Sequence, residues 1–303
     1  MPEEYDEFSM FHENAEEYGI AYDGPPVVRR EDVELGDGRH LSALVWGTAE
    51  PELVFLHGGA QNAHTWDTVA LALGRPLVAL DLPGHGHSDP GRDGSLDVFT
   101  NAVDVATVVR ALAPAAKVII GMSLGGMTAI ALAGHAPELV RRIVLVDITP
   151  GVSSERSAHI ANFVQGPASF DSFDELLART CEFHPSRSVA SLRRGILHNA
   201  VQLEDGTWVW RYARHRNGLG GLGERRADDL GFGPLWDVIG SLEVPLTLAR
   251  GMLAESVVGD DDVAELRARK PDAVVVEFEH SGHSLQGDEP VRLAALIGEV
   301  ADS

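Results

Sequence analysis

The sequence predicts an α/β fold in which a mostly parallel central sheet is covered by helices on both faces. From Leu53 onward, short apolar strand-like runs alternate with helical stretches, including 96–112 and 127–136. Such alternation is typical of parallel strands joined by crossover helices. It is interrupted between residues 151 and 240, and a strand pattern returns at 244–249. With 303 residues, 44% of them hydrophobic, the chain can bury one such core and carry an inserted element.

Two patterns precede the alternating region. Residues 1–25 are acidic and lack a clear apolar period, so we expect them to form an arm or a short helix outside the core. Residues 27–35 and 40–46 flank Gly36-Asp37-Gly38, which predicts a β-hairpin.

The interruption predicts a mainly helical cap, or lid, at residues 151–240, inserted between core segments 26–150 and 241–303. An insertion at this point begins at the sheet edge where the loops after parallel strands emerge. It would therefore cover a site formed there. The cap contains a glycine-rich stretch at 217–223. Its aromatic residues could line an apolar pocket or pack the cap onto the core, and they are Trp208, Trp210, Tyr212 and Trp236.

The stretch Gly121-Met122-Ser123-Leu124-Gly125 is the strongest functional signal. It follows the apolar run 117–120 and precedes the helix-like residues 128–133. This order predicts a strand, a sharp turn centred on serine and a helix, which together form a nucleophile elbow. Glycines two positions away on either side give the turn the room it needs. We therefore predict that Ser123 is a catalytic nucleophile.

A second segment supplies a binding site for negative charge. The apolar run 51–56 leads into His57-Gly58-Gly59, where an oxyanion loop belongs in such an architecture. We predict that the backbone N–H groups of Gly59 and Leu124 form the oxyanion hole, and the helix that begins after Ser123 favours the same charge.

The general base is expected near the C-terminus. The strand-like run 273–278 is followed by two histidines, His280 and His283. We predict His283 to be the base, because Gly282 lets the backbone bend sharply and bring the next imidazole toward the serine.

In the order of these motifs, the sequence resembles the α/β-hydrolase superfamily over nearly its whole length. The resemblance rests on Leu56–Gly59, Leu80–Asp89, the elbow at Ser123 and Ser281–His283. It implies the α/β-hydrolase fold with a cap. Relatives that open epoxides or displace halide have aspartate at the elbow, so Ser123 argues against both activities.

The resemblance leaves two positions for the acid of the triad. The commonest family arrangement implies Glu255, after the strand-like run 244–251, whereas a branch of small esterases with a V-D-I-x-P segment implies Asp147. A carboxylate at the end of a buried central strand is costly unless a partner such as an imidazole compensates it. Glu255 precedes an acidic stretch typical of a solvated loop. We therefore predict Asp147, with Glu255 as the alternative.

A serine with a histidine base and an oxyanion hole predicts acyl transfer to water, so carboxylic esters, thioesters and lactones are the expected substrates. The alternatives are a carbon–carbon bond hydrolase, a cofactor-free haloperoxidase or perhydrolase, and a slow-turnover ligand-binding protein. No cofactor is expected.

The run His85-Gly86-His87-Ser88-Asp89 partly resembles an H-x-H-x-D metal motif, but Pro90 stands where that motif needs a further histidine, so we predict no metal there.

Composition limits partners and location. A formal net charge of −22 repels nucleic acid and anionic lipid surfaces, so a small-molecule substrate is the expected partner. The sequence makes no prediction about oligomeric state. Cys181 is the only cysteine, the N-terminus is acidic, and no apolar run approaches about 20 residues. These features predict a cytoplasmic protein.

Overall fold

A computed structural model describes residues 5–94, 97–167, 169–184, 187–212 and 232–303. Its largest element is an eight-stranded sheet. The strands of this sheet are β1 (Val28–Glu34), β2 (His40–Trp46), β3 (Leu53–Leu56), β4 (Leu77–Leu80), β5 (Val118–Met122), β6 (Ile143–Val146), β10 (Leu246–Gly251) and β11 (Val274–Phe278), with β7 to β9 in the insertion.

The strand order is β1-β2-β4-β3-β5-β6-β10-β11. Strands β1 and β2 form the predicted hairpin, with Val28 opposite Trp46 and Glu34 opposite His40. Strand β2 also runs antiparallel to β4, whereas the pairs from β4 to β11 are parallel. Strands β3 to β6 are buried along their whole length, as expected for apolar runs covered on both faces. The predicted mostly parallel sheet is confirmed.

Helices cover both faces of this sheet. The helices are α1 (Phe11–Tyr18), α2 (Asp67–Leu73), α3 (Val98–Leu112), α4 (Leu124–His135), α5 (Ser154–Val164), α6 (Phe173–Phe183), α7 (Val189–Asn199), α8 (Gly233–Ser241), α9 (Asp260–Arg269), α10 (Leu285–Asp288) and α11 (Pro290–Asp302). Buried side chains of α3, α4, α8 and α9 pack on one face, and those of α1, α2 and α11 on the other. Among the described residues, no helix combines the length and the apolar character that crossing a membrane requires.

The sequence analysis expects residues 1–25 to lie outside the core, but the helix within this segment packs onto it. Phe11 is 1% exposed, and its ring lies 4.9 Å from that of Trp46. Helix α1 packs against α2. The apolar face of this helix is short and lies among acidic residues, so the sequence pattern does not reveal it. It is nevertheless enough to attach the helix to the sheet.

The insertion contains more than helices. Helices α5, α6 and α7 are joined by a small antiparallel sheet of β7 (Ser169–Phe170), β8 (Ala200–Gln202) and β9 (Trp208–Trp210). Helix α8 falls within the interval predicted as the cap, yet it packs on α4 with the core helices. The glycine-rich stretch 217–223 lies outside the described residues.

Strand β5 and helix α4 approach their neighbours so closely that side chains are excluded at two glycines. A Cβ atom on Gly121 would lie 2.4 Å from the carbonyl oxygen of Gly125, and one on Gly125 would lie 2.2 Å from that of Leu56. Both obstacles are backbone atoms, which cannot move aside as a flexible side chain can. These two glycines therefore fix how the turn after β5 sits against β3.

We predict that Gly125→Ala lowers the free energy of unfolding by about 1–3 kcal/mol or more, because the added methyl group overlaps backbone atoms. The matched control is Gly298→Ala within α11, where an added Cβ would meet no atom within 4 Å. This control should gain up to about 1 kcal/mol from helix propensity. Urea unfolding of both variants measures the difference, and equal stabilities would contradict the steric argument.

Candidate active site

Ser123 occupies the turn between β5 and α4 in a strained conformation. Its φ of 51° and ψ of −116° lie in a region that non-glycine residues rarely adopt. The residue lines a large cavity beneath the insertion. The predicted strand, turn and helix around this serine are therefore present.

The carboxylate of Asp147 lies one strand away, directly after β6. Asp147 is completely buried and also has a positive φ, 45°. Its Oδ1 accepts hydrogen bonds from the Gly251 N–H at 2.9 Å and the Ser256 hydroxyl at 2.6 Å. Its Oδ2 accepts one from the Val257 N–H at 3.0 Å. These donors compensate for the loss of hydration that a buried carboxylate suffers.

His283 provides a further partner for Asp147. Its Nδ1 lies 2.9 Å from Asp147 Oδ2. Its Nε2 is buried and has no hydrogen-bond partner among the described residues, and His283 lines the same cavity as Ser123. The loop that carries it is fixed by two carboxylates, since Asp288 accepts from the Gly282 N–H at 3.0 Å and Glu289 from the Ser281 hydroxyl at 2.7 Å.

The two competing candidates occupy different positions. His280 is exposed, and its backbone N–H, not its ring, is held by Glu289. Glu255 lies on the cavity wall, where its Cβ is 2.8 Å from the point that a Cβ on Gly282 would occupy. Among the described residues, the carboxylate that contacts His283 is that of Asp147. In the loop after β10, Ser256 and Val257 bind that carboxylate, whereas Glu255 does not.

The loop after β3 packs tightly against the serine turn. A Cβ on Gly58 would lie 3.3 Å from the Cβ of Ser123, so a side chain at residue 58 would crowd the nucleophile. Gly59 and Leu124 line the cavity beside Ser123. Their roles as the oxyanion hole stay a prediction.

Two buried histidines connect the loop after β3 to the loop after β4, a role that the sequence analysis missed. His57 Nε2 accepts from the Leu82 N–H at 2.9 Å, and His85 Nε2 accepts from the Ala60 N–H at 3.1 Å. Burial lowers the pKa of His57 to about 3 and also lowers the pKa of His85. Both rings are therefore neutral, which leaves each with a lone pair for the bond. Ala60 itself has a φ of 62°.

Asp81 attaches the far end of the same loop. Its Oδ1 accepts from the Ala63 N–H at 2.7 Å, and its Oδ2 accepts from Arg30 Nη1 at 2.9 Å. Burial alone would raise the pKa of Asp81, but the contact with His87 and the charge of Arg30 hold that pKa well below its ordinary value. Arg30 also pairs with Glu7 of the N-terminal segment. The 80–89 motif therefore supports the loop after β3.

The cavity has a volume of about 1260 Å³. Of the aromatic residues singled out from the sequence, Trp210 and Tyr212 line it. Trp208 instead packs on Phe173, with ring centroids 5.1 Å apart, and Trp236, which lies on α8, belongs to the hydrophobic core. Part of this aromatic set therefore lines the cavity, and the rest packs elsewhere.

The buried neutral histidines predict a pH dependence of stability. The pKa of His57 is about 3 in the folded protein and about 6.5 when unfolded. The stability it contributes is therefore complete above pH 6.5 and is lost as the pH falls toward 3. At pH 5 the loss attributable to this residue is about 2 kcal/mol. Urea unfolding at pH 7 and pH 5 should show a smaller decline for His57→Gln than for the unmodified protein, and identical declines would refute the assignment.

Comparison with known proteins agrees with this geometry. Residues 53–296 match the sequence profile of the alpha/beta hydrolase family. Esterase Rv0045c of Mycobacterium tuberculosis is 44% identical over 306 residues, covering 98% of this chain and 96% of that protein. A structure of that esterase, solved in a study of its transition metal inhibition and structural refinement, matches with a TM-score of 0.82 at 43% identity over 99% of both chains.

A more distant structure shows the fold alone. E-2-(acetamidomethylene)succinate hydrolase matches with a TM-score of 0.79 at 21% identity, covering 91% of this chain and 100% of that one. Together with the sheet order and the serine turn, these matches establish that the chain belongs to the α/β hydrolase family and is a hydrolase that cleaves esters.

Proposed function

We propose that the enzyme cleaves carboxylic esters, thioesters or lactones through a covalent acyl intermediate on Ser123, with His283 as the base and Asp147 as the acid of the triad. The observation that carries the assignment is the 2.9 Å contact between His283 Nδ1 and Asp147 Oδ2. Ser123 lies on the cavity that His283 also lines.

In the proposed first half-reaction, the Ser123 hydroxyl attacks the carbonyl carbon of the substrate, and its proton passes to Nε2 of His283. Nε2 of His283 has no hydrogen-bond partner among the described residues, Ser123 included, so its lone pair is available once the two side chains come within hydrogen-bond distance. Asp147 keeps the proton on Nδ1 and stabilises the imidazolium that forms. His283 then returns the proton to the alcohol or thiol that leaves.

The negative charge on the carbonyl oxygen is proposed to rest on the backbone N–H groups of Gly59 and Leu124. Leu124 begins α4, and the first N–H groups of a helix lack partners within the helix. In the second half-reaction, water attacks the acyl group, His283 takes a proton from that water, and the proton is returned to Ser123 Oγ. The acid product and the free serine result.

The cavity supports substrates larger than simple acetates. Its volume of about 1260 Å³ exceeds what a two-carbon acyl group fills, and α5 and α6 add Phe163 and Phe183 to the aromatic wall. Apolar walls around a few polar groups favour extended or ring-containing acyl chains. Comparison of p-nitrophenyl esters of increasing chain length, with aromatic and lactone substrates, tests this preference.

We also propose a cytoplasmic location and a small-molecule partner. The single cysteine supports the location, because one thiol cannot form a disulfide within the chain. The net charge of −22 supports the partner, since it disfavours binding to polyanions.

Replacement of the nucleophile is the first test. Ser123→Ala should lower kcat for p-nitrophenyl butyrate by at least about 1,000-fold, because no hydroxyl remains to form the ester intermediate. The unfolding temperature serves as a control for folding. Substrate binding that persists without turnover is expected in this variant, whereas turnover at the original rate would eliminate Ser123 as the nucleophile.

A matched pair of variants tests the acid. Asp147→Asn should depress kcat by about 10³–10⁴-fold, because an amide cannot keep His283 in the required tautomer or stabilise its cation. Glu255→Gln, on the same cavity wall, should change kcat less than about threefold. Measuring kcat and unfolding temperature together separates the catalytic effect of Asp147 from its structural one. The opposite ranking of the two variants would transfer the role to Glu255.

A further inference from the structure

A second cluster of ionisable residues lies outside the triad, at the junction of cap and core. His64 belongs to the 3-10 turn Ala63–Trp66, Asp67 begins α2, and His198 lies near the end of α7 in the cap. All three are buried, with exposed fractions of 7%, 3% and 5%. The catalytic steps proposed above use none of them.

The side chains of this cluster converge on a single point. Each of the three offers one potential ligand atom, and these atoms lie within 4.8 Å of one another. Nδ1 of His64 is 2.8 Å from Asp67 Oδ2, and Nε2 of His198 is 3.8 Å from the same oxygen. The two imidazole rings stack with centroids 3.8 Å apart. Atoms this close together can bind one ion after the two imidazole rings reorient.

Each histidine also has a partner on its other ring nitrogen. Nε2 of His64 is 3.1 Å from a carboxylate oxygen of Glu7, and Nδ1 of His198 is 2.6 Å from the hydroxyl of Tyr5. In metal sites, ligating histidines almost always bind a carboxylate, carbonyl or water through the nitrogen that does not face the metal. The cluster therefore has both an inner set of donors and the outer partners that orient them.

Two further observations indicate an available ligand position. Asp67 Oδ1 is buried and has no hydrogen-bond partner among the described residues, which is unfavourable for a carboxylate oxygen. All three residues of the cluster line the large cavity. An ion could thus enter from the cavity without unfolding the core.

We propose that His64 Nδ1, His198 Nε2 and the Asp67 carboxylate form a binding site for one divalent transition-metal ion such as Zn²⁺, with water as the fourth ligand. Two imidazoles favour Zn²⁺ over Mg²⁺ and Ca²⁺, which prefer oxygen ligands. Coordination releases the proton from His64 Nδ1 to solvent. It also tilts the stacked rings apart, because each nitrogen lone pair lies in its ring plane. The site is separate from the His85–Asp89 run considered in the sequence.

Occupancy of this site links the cap to the core. His198 comes from the segment predicted as the cap and the other two ligands from the core, so the ion joins these two parts of the chain. The backbone oxygen of His198 already accepts a hydrogen bond from the Asn62 side chain at 2.8 Å, and Asn62 follows directly on the loop that carries Gly59. The ion consequently stabilises the cap where it contacts this loop.

Titration of the full chain with ZnCl₂ tests the proposal. Calorimetry should show one ion per chain, with binding weakened at least tenfold in His198→Asn and in Asp67→Asn. Zn²⁺ should raise the unfolding temperature of the unmodified protein, because a ligand that binds the folded state stabilises it, and at the same Zn²⁺ concentration this rise should be smaller in both variants. His159→Asn, which removes a histidine elsewhere on the cavity wall, is the matched control and should bind as the unmodified protein does.

Unchanged binding in His198→Asn or in Asp67→Asn would overturn the assignment, as would loss of binding in His159→Asn or the absence of saturable binding to the unmodified protein. If either ligand variant fails to fold, Co²⁺ bound to the unmodified protein provides an independent measurement. A visible absorption spectrum typical of four-coordinate nitrogen and oxygen ligation supports the site, and a six-coordinate spectrum contradicts it.

Discussion

The geometry of the site depends on one buried carboxylate. Asp147 is completely buried, and its two oxygens receive two backbone N–H groups, a hydroxyl and the imidazole of His283. Removing a carboxylate from water is costly, and these donors compensate for that cost. Because the donors come from β10, from the loop after it and from the C-terminal loop, Asp147 holds together three segments distant in the sequence.

A second buried acid has a comparable function on the other side of Ser123. Asp81 fixes the loop after β3 and connects it, through Arg30 and Glu7, to the N-terminal segment. The neutral rings of His57 and His85 complete this support. The main chain of this loop is therefore held by these core contacts together with α7, whose Asn199 side chain donates a hydrogen bond to the Ala60 carbonyl oxygen.

Much of this arrangement could be predicted from local sequence. The Gly121–Gly125 stretch predicts the turn at Ser123. The physical cost of an unpaired carboxylate favours Asp147 over Glu255, and in the structure the carboxylate of Asp147 contacts His283. The support of the loop after β3 by His85 and Asp81 was not predicted, because it depends on β4 lying beside β3, and strand order is not encoded in the local pattern. The packing of helix α1 on the core is not predicted for a related reason. Phe11 contacts Trp46, a residue distant in the sequence, and the local pattern does not show such a contact.

The non-glycine residues with left-handed backbone among those described are Ala60, Ser123 and Asp147, and all three belong to the site or its loop. Each such conformation costs on the order of 1–3 kcal/mol. Local instability is thus concentrated around the candidate site, and the rest of the fold has to offset it. A search for a more heat-resistant form should therefore leave these three residues unchanged. Substitutions that raise the free energy of unfolding are better sought in the outer helices, away from the candidate site.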